Sequence, residues 1–156
     1  MYNIVTCADA NYYDMALGLA KNIKLFPNYQ LFLYDLGLTT KQREELAVLN
    51  VRIEHTEFDP ETFHMNSKHN IRTTHKINCI EDFIRRYAES AILLDSDVLL
   101  IEDVASQLLP KKNQVVLTRR CQRECKPHIL INGKINAGVM AFGAQIGSDF
   151  FNAWRT

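Results

Sequence analysis

Residues 91–101 read Ala-Ile-Leu-Leu-Asp-Ser-Asp-Val-Leu-Leu-Ile. Four consecutive apolar residues, Ala91 to Leu94, form a run with no polar alternation, the pattern of a strand buried on both faces at the centre of a parallel sheet. The run ends in two aspartates spaced two apart, Asp95 and Asp97, around Ser96. Charges beside a buried strand cost free energy unless they are paired or hold a metal. Turns also favour aspartate, so the spacing alone leaves a plain turn as an equal alternative, and the apolar strand before it tips the reading towards a metal. Oxygen donors of this kind suit Mg²⁺ or Mn²⁺, and two carboxylates leave coordination positions open for substrate oxygens such as phosphates.

Outward from this stretch, the N-terminal third alternates. Tyr2 to Cys7 is a short β-rich apolar run. A helical pattern follows, with Met15, Leu17, Leu19, Ile23 and Leu25 apolar and Lys21 and Lys24 polar, closed by Pro27-Asn28. Gln30 to Asp35 is a second strand ending at Leu36-Gly37. Thr39 and Gln42 form a capping box for a helix that runs to about Leu49, and Val51 to Glu54 is a third strand. Strand–helix–strand alternation with short connections predicts a mostly parallel sheet flanked by helices. In such sheets ligands sit at the carboxyl ends of the strands.

Residues 56–73 are polar and irregular and read as a loop. Lys76 to Tyr87 places Ile77, Ile80, Phe83, Ile84 and Tyr87 on one face, an amphipathic helix. Gln114 to Thr118 and Gly138 to Phe142 read as two further strands, and Ser148 caps a last helical stretch carrying Phe150, Phe151 and Trp154. The sequence stops at Thr156 with no further helix signal, as expected of a truncated or partial chain.

Composition bounds the function. The chain has 156 residues, with 18 Lys+Arg against 18 Asp+Glu and 47% apolar residues. That is one ordinary globular domain by length. Zero net charge argues against a nucleic-acid-gripping protein, which needs a basic excess. No apolar run reaches the roughly 18 residues of a membrane span, and no basic-then-apolar leader opens the chain. Cys7, Cys79, Cys121 and Cys125 are too few for a disulfide scaffold, so reduced thiols in a cytoplasm are expected.

Two further stretches bear on chemistry. Asn136-Ala137-Gly138 precedes an apolar strand; small residues there let a ligand approach the backbone, and Asn136 can both donate to and accept from a hydroxyl. Thr6-Cys7-Ala8-Asp9, followed by Tyr12 and Tyr13, puts small residues, a carboxylate and aromatics at a strand-to-helix junction. Such a junction could hold a base and a ribose, although, taken alone, an N-cap at Asp9 with a core-facing tyrosine is the more ordinary explanation. No strong glycine-rich phosphate loop is present, which fits phosphate held through a metal.

Taken together and in order, I-V-T-C-A-D-A-N-Y, K-I-N-C-I, L-L-D-S-D-V-L and I-N-A-G-V-M-A-F resemble the GT-A glycosyltransferases, and within them the glycogenin-like and galactosyltransferase-like proteins of family 8. The resemblance spans nearly the whole chain. It implies a GT-A, Rossmann-like α/β domain over residues 1–156, with an acceptor-side C-terminal part absent. It implies transfer of a sugar from a nucleotide-diphosphate donor, a UDP-sugar, to an acceptor hydroxyl, with retention of configuration. By position it places Thr6, Ala8, Asp9 and Tyr12 in the nucleotide pocket, Tyr12 against the base. Lys76 falls at the diphosphate and sugar, Asp95 and Asp97 at a Mn²⁺ or Mg²⁺ with Asp95 also near the ribose, Asn136 and Gly138 at the transferred sugar, and Ser96 and Ala137 among the donor-binding residues. The resemblance names no catalytic base, sugar or acceptor (glycan, lipid or protein) in this chain, and it leaves the oligomeric state open.

Two departures qualify it. The family's further metal ligand, a histidine, comes from a segment downstream of the last strand read here. The stretch between D-S-D and N-A-G is longer than in glycogenin-like proteins and basic: Lys111, Lys112, Arg119, Arg120, Arg123, Lys126 and Lys134 face only Glu124. Such an excess attracts an anionic acceptor or the diphosphate, or is simply a solvated loop.

Other readings are weaker. Cys121, Cys125 and His128 offer three zinc ligands with no fourth nearby, and His55, His64, His69 and His75 show no metal spacing. A phosphohydrolase with Asp95 as nucleophile, as in the haloacid dehalogenase-like group, would want Thr or Val where Leu99 stands and its D-x-D near the N-terminus. A non-catalytic nucleotide-sugar-binding fragment remains the main alternative.

Overall fold

The computed structural model describes residues 1–55, 68–119 and 135–155, the side chains of 68–74, 119 and 135–137 excepted. Residue choice sets the elements. β1 (Tyr2–Ala8), β2 (Tyr29–Asp35) and β4 (Ala91–Leu94) are the apolar runs expected, and β3 (Arg52–His55) is the expected third strand, displaced by one residue. α1 (Tyr13–Ile23), α2 (Thr40–Ala47) and α3 (Lys68–Tyr87) lie between them in sequence. A short turn of helix, α4 (Ala105–Leu108), precedes β5 (Val115–Arg119) and β6 (Ile135–Phe142), and α5 (Ser148–Arg155) follows.

The strands form one six-stranded sheet in the order β3-β2-β1-β4-β6-β5. β1 pairs in parallel with β2 and β4, and β2 with β3. β6 inserts antiparallel between β4 and β5, with Leu94 opposite Val139 and Ala91 opposite Phe142. The sheet is therefore mostly parallel, as the alternation requires.

Strand periodicity splits the core into two faces. Ile4, Leu31, Leu33, Ile92 and Leu94 pack with Leu19, Ile23 and Leu46 of α1 and α2. The neighbours Val5, Phe32, Tyr34 and Leu93 pack with Ile77, Ile80, Phe83 and Phe151 of α3 and α5. Burying each such side chain contributes about 1.5–3 kcal/mol, and covering both faces explains why β4 is apolar without alternation.

Two expectations are corrected. α3 begins at Lys68, where a loop to residue 73 was expected. Its opening turns carry Lys68, His69, Asn70, Arg72, Thr73 and Thr74 around a lone Ile71. They show no apolar period, yet they extend the amphipathic helix cooperatively, at one backbone bond per residue. On α1, the buried residues are Ala16, Leu19, Ala20 and Ile23, while Met15 is half exposed and Leu25 lies beyond the helix and exposed. Small alanines at helical spacing face the sheet closely, which a count of large apolar residues overlooks. After Asp97 the apolar run is irregular: Leu99 and Ile101 are exposed, and Asn22 takes both main-chain groups of Leu100, with Leu100 N donating to Oδ1 (2.7 Å) and Nδ2 donating to Leu100 O (2.9 Å). The Thr39–Gln42 capping box is present as read, with the Gln42 main-chain N–H donating to Thr39 Oγ1 and the Thr39 N–H donating to Gln42 Oε1.

Candidate functional site

The carboxyl ends of β1, β2 and β4 open onto a cleft of about 360 Å³ lined by Thr6, Cys7, Ala8, Asp9, Tyr12, Leu36, Lys76, Leu94, Asp95, Ser96 and Asp97. That volume lies in the range of small-molecule sites. Seven of the sequence-derived candidates, Thr6, Ala8, Asp9, Tyr12, Lys76, Asp95 and Ser96, line this one cleft together with Asp97.

Each wall has a local cause. Asp9 ends β1 and caps the short 3-10 turn Ala10–Tyr12: its Oδ1 accepts the main-chain N–H of Asn11 at 2.9 Å and of Tyr12 at 3.1 Å. The cap and the cleft position coexist, and the cap sets where the half-buried Tyr12 stands. Thr6 is fully buried, and its Oγ1 has no hydrogen-bond partner among the described residues. A buried hydroxyl left unpaired beside a cleft is a point where a ligand or water makes up the missing bond.

Across the cleft, α3 presents Lys76 to the end of β4. Its ammonium pairs with Asp95 Oδ1, and the two side chains are 23% and 27% exposed, so water screens the pair only partly. Among the described residues, Oδ1 of Asp95 accepts no regular hydrogen bond besides this ion pair. Asp97 is exposed and makes no hydrogen bond or ion pair with the described residues. Ser96 between them is buried. The main-chain N–H of Asp95 donates to the carbonyl of Gly138 at 2.9 Å, tying D-S-D to N-A-G.

The donor set fits a hard divalent cation in its chemistry: two carboxylates at the mouth of a cleft, with open positions beside them. No group of three or more His, Cys, Asp or Glu that could hold a metal occurs among the described residues. Asn136 and Ala137 belong to β6 beside this end of β4, with their side chains outside the described residues. Gly138 contributes its carbonyl rather than a cleft wall.

Two lining residues, Leu36 and Leu94, escaped the sequence reading, and Cys7 was read within the Thr6–Asp9 junction without a role of its own. Leu36 follows β2, and its N–H donates to Ala8 O at 3.0 Å. Asp35 holds that bend: Oδ1 accepts from Gly37 N (2.8 Å) and Leu38 N (2.6 Å), and Oδ2 from Arg43 (2.9 Å). Gly37 has φ 126°, a conformation that side chains with a Cβ rarely adopt. The available signal was position alone: Leu36 ends the strand next to β1, where parallel sheets place ligands.

Elsewhere, His75 is buried on α3 and burial holds its pKa below the ordinary value. His55 is exposed on β3. The residues of the zinc reading (Cys121, Cys125, His128), His64, and Arg120, Arg123, Lys126 and Lys134 of the basic stretch lie outside the described residues. Lys111 and Lys112 are exposed. No helix among the described residues is long and apolar enough to cross a membrane.

A mostly parallel sheet with an antiparallel β6 insert, helices on both faces and an acidic cleft at the end of β4 define a GT-A-like glycosyltransferase fold. Among solved structures the chain is similar to the galactosyltransferase LgtC in complex with donor and acceptor sugar analogues (TM-score 0.68, 19% identity, covering 92% of this chain and 58% of that one). It is also similar to the LgtC active-site mutant Q189E (TM-score 0.66, 20% identity, 98% and 59%). A third is the glycosyltransferase GlyE of Streptococcus pneumoniae TIGR4 (TM-score 0.63, 16% identity, 99% and 37%). The chain thus spans under three-fifths of the length of each, and at these identities the likeness is one of fold. No family model matches the chain, and no curated protein matches its sequence.

Proposed function

We propose that this chain binds a UDP-sugar as the donor domain of a metal-dependent, retaining glycosyltransferase of family 8. The observation that carries the reading is the convergence of Asp95, Asp97 and Lys76 with Asp9 and Tyr12 around one cleft at the carboxyl ends of the strands. Mn²⁺ or Mg²⁺ at Asp95 and Asp97 would supply Lewis-acid neutralisation of the diphosphate leaving group. Lys76 adds a fixed positive charge on the same side of the cleft, where a diphosphate would develop charge as its bond to the sugar breaks. Tyr12 offers an aromatic face for the base, held by the Asp9 cap, and the unpaired Thr6 hydroxyl offers a bond at the cleft floor. Asn136, Ala137 and Gly138, beside the end of β4, are assigned to the transferred sugar. The acceptor hydroxyl would then attack the anomeric carbon; no side chain in the cleft is assigned as its base.

The experiment is a thermal-shift screen of UDP-glucose, UDP-galactose and UDP-N-acetylglucosamine with Mn²⁺ and with chelator. Selective binding to the folded state raises the melting temperature. A shift for one donor that chelator removes supports the reading; no shift with any of them sinks it. A second reading of the same cleft is a donor-binding unit without turnover, since no side chain lining it is assigned as a base. It predicts the same shift with no release of free sugar or UDP.

A further inference from the structure

Two of the cleft's neighbours are sulfur. Cys7 lies on β1 with its side chain on the α3 face, the face of Val5, as strand alternation requires. Cys79 lies on α3, three residues after Lys76 and so on the same side of the helix. Both belong to one apolar cluster with Val5, Ile77, Ile80 and Phe83, Cys79 in its interior and Cys7 at its edge. Cys7 is half-buried and lines the donor cleft, whereas Cys79 is fully buried. Within that cluster the Cys7 thiol lies within interaction range of the Cys79 thiol.

From this placement we infer that Cys7 and Cys79 form a reversible dithiol–disulfide pair in the wall of the cleft, oxidised by a small-molecule disulfide that enters the cleft. Its effect on donor binding rests on the functional reading above; its existence does not.

The roles divide by access. Cys7 is the thiol a cleft ligand can meet, and Cys79 is sealed behind it. Because only Cys7 faces the cleft, Cys79 is the resolving thiol and not the first attacker; burial, with the Cys7 thiol beside it, also pushes the Cys79 thiol well above its ordinary range. In the first step the Cys7 thiolate attacks one sulfur of the oxidant. That S–S bond breaks, one thiol leaves, and a mixed disulfide forms at Cys7. In the second, Cys79 gives up its proton and attacks the Cys7 sulfur, expelling the second small thiol. Two protein thiols are oxidised and one disulfide is reduced to two thiols. A disulfide is about 2.05 Å long, shorter than any thiol–thiol contact, so closure draws α3 and the end of β1 together. Lys76, one turn from Cys79, moves relative to Asp95.

The test uses the full chain equilibrated in glutathione buffers of graded redox ratio, then alkylated, digested without reduction and read by mass spectrometry. The expected product is a peptide pair joined through Cys7 and Cys79, two hydrogens lighter than the reduced pair and released by dithiothreitol. Cys79→Ala should halt at a glutathione adduct on Cys7. Failure to join Cys7 to Cys79 at ratios that oxidise the urea-unfolded chain overturns the proposal, whether or not the variant folds. UDP titration with Mn²⁺ then reads the coupling: oxidised chain should bind at least tenfold more weakly than reduced, and equal affinity overturns the coupling. A reduced chain that binds no UDP removes the functional reading, while the peptide mass still decides the thiol pair.

Discussion

The main-chain N–H of Asp95 donates to the carbonyl of Gly138 across 2.9 Å, and this bond joins the two sequence motifs that lie more than 40 residues apart. It follows from the antiparallel pairing of β4 with β6: because Leu94 faces Val139, the residues before Val139 run alongside those after Leu94. Had β6 run parallel to β4, Asn136 to Gly138 would stand at the opposite, amino-terminal end of β4. The direction of one strand therefore brings N-A-G to the end of D-S-D.

Asp97 is exposed at this end with no partner among the described residues, so its carboxylate has no evident structural task. Asp97→Ala should leave the melting temperature within about 2 °C, because exposed sites away from structural features change stability by about 0.5 kcal/mol or less. Calorimetric titration of UDP with Mn²⁺ should show at least a tenfold loss, about 1.4 kcal/mol. Unchanged metal-dependent binding would falsify the assignment of Asp97.

Lys76 and Asp95 form a partly screened ion pair. Lys76→Met keeps the apolar stem but leaves Asp95 without its cation. A stability loss of about 1 kcal/mol is expected, between the values for exposed and buried pairs, which is about 2–4 °C in melting temperature for a chain of this size. UDP-sugar affinity should fall further than UMP affinity, since Lys76 faces the diphosphate in the proposed arrangement. Equal losses for both ligands would place Lys76 outside the phosphate contact.

Asp35 shapes the bend that carries Leu36 to the cleft. Burial alone would raise its pKa, but the N–H groups of Leu38 and Gly37 and the Arg43 guanidinium outweigh burial and hold it below its ordinary 3.8. A carboxyl with a depressed folded pKa stabilises above its unfolded value and loses that contribution as pH falls through the folded one. Urea unfolding of wild type and Asp35→Asn should differ most between pH 6 and 7, and the gap should narrow below about pH 3.8. A gap independent of pH would show that the charge of Asp35 contributes nothing.

Gly143 turns the chain after β6, and a Cβ built there would lie 2.1 Å from the carbonyl oxygen of Lys111 and 2.4 Å from that of Lys112. Both contacts are with main chain, so no side chain can rotate away. The Gly143 N–H donates to Gln114 O at 2.9 Å, which fixes the approach. Gly143→Ala should destabilise by about 1–3 kcal/mol, the cost of overpacking, measured as a lower urea midpoint with unchanged slope. A midpoint equal to that of wild type would mean the β5 entry loop shifts without strain.

The parts legible in the sequence were those with a local cause. The strands of the parallel half announce themselves through short apolar runs, the α2 start through Thr39 and Gln42, and the acidic end of β4 through Asp95 and Asp97. The opening turns of α3 were illegible because they carry no apolar stripe, and the sheet-facing side of α1 because it is built on alanines.

By itself, the sequence determined the strand–helix alternation, the two-faced core and the residue types at the strand ends, since burial and capping act through neighbours at fixed spacing. Only the tertiary structure decided that β6 is antiparallel, that Lys76 reaches Asp95, and that Cys7 meets Cys79. These depend on how elements far apart in the chain pack against one sheet, and side-chain spacing along a single element does not encode which element lies across from it.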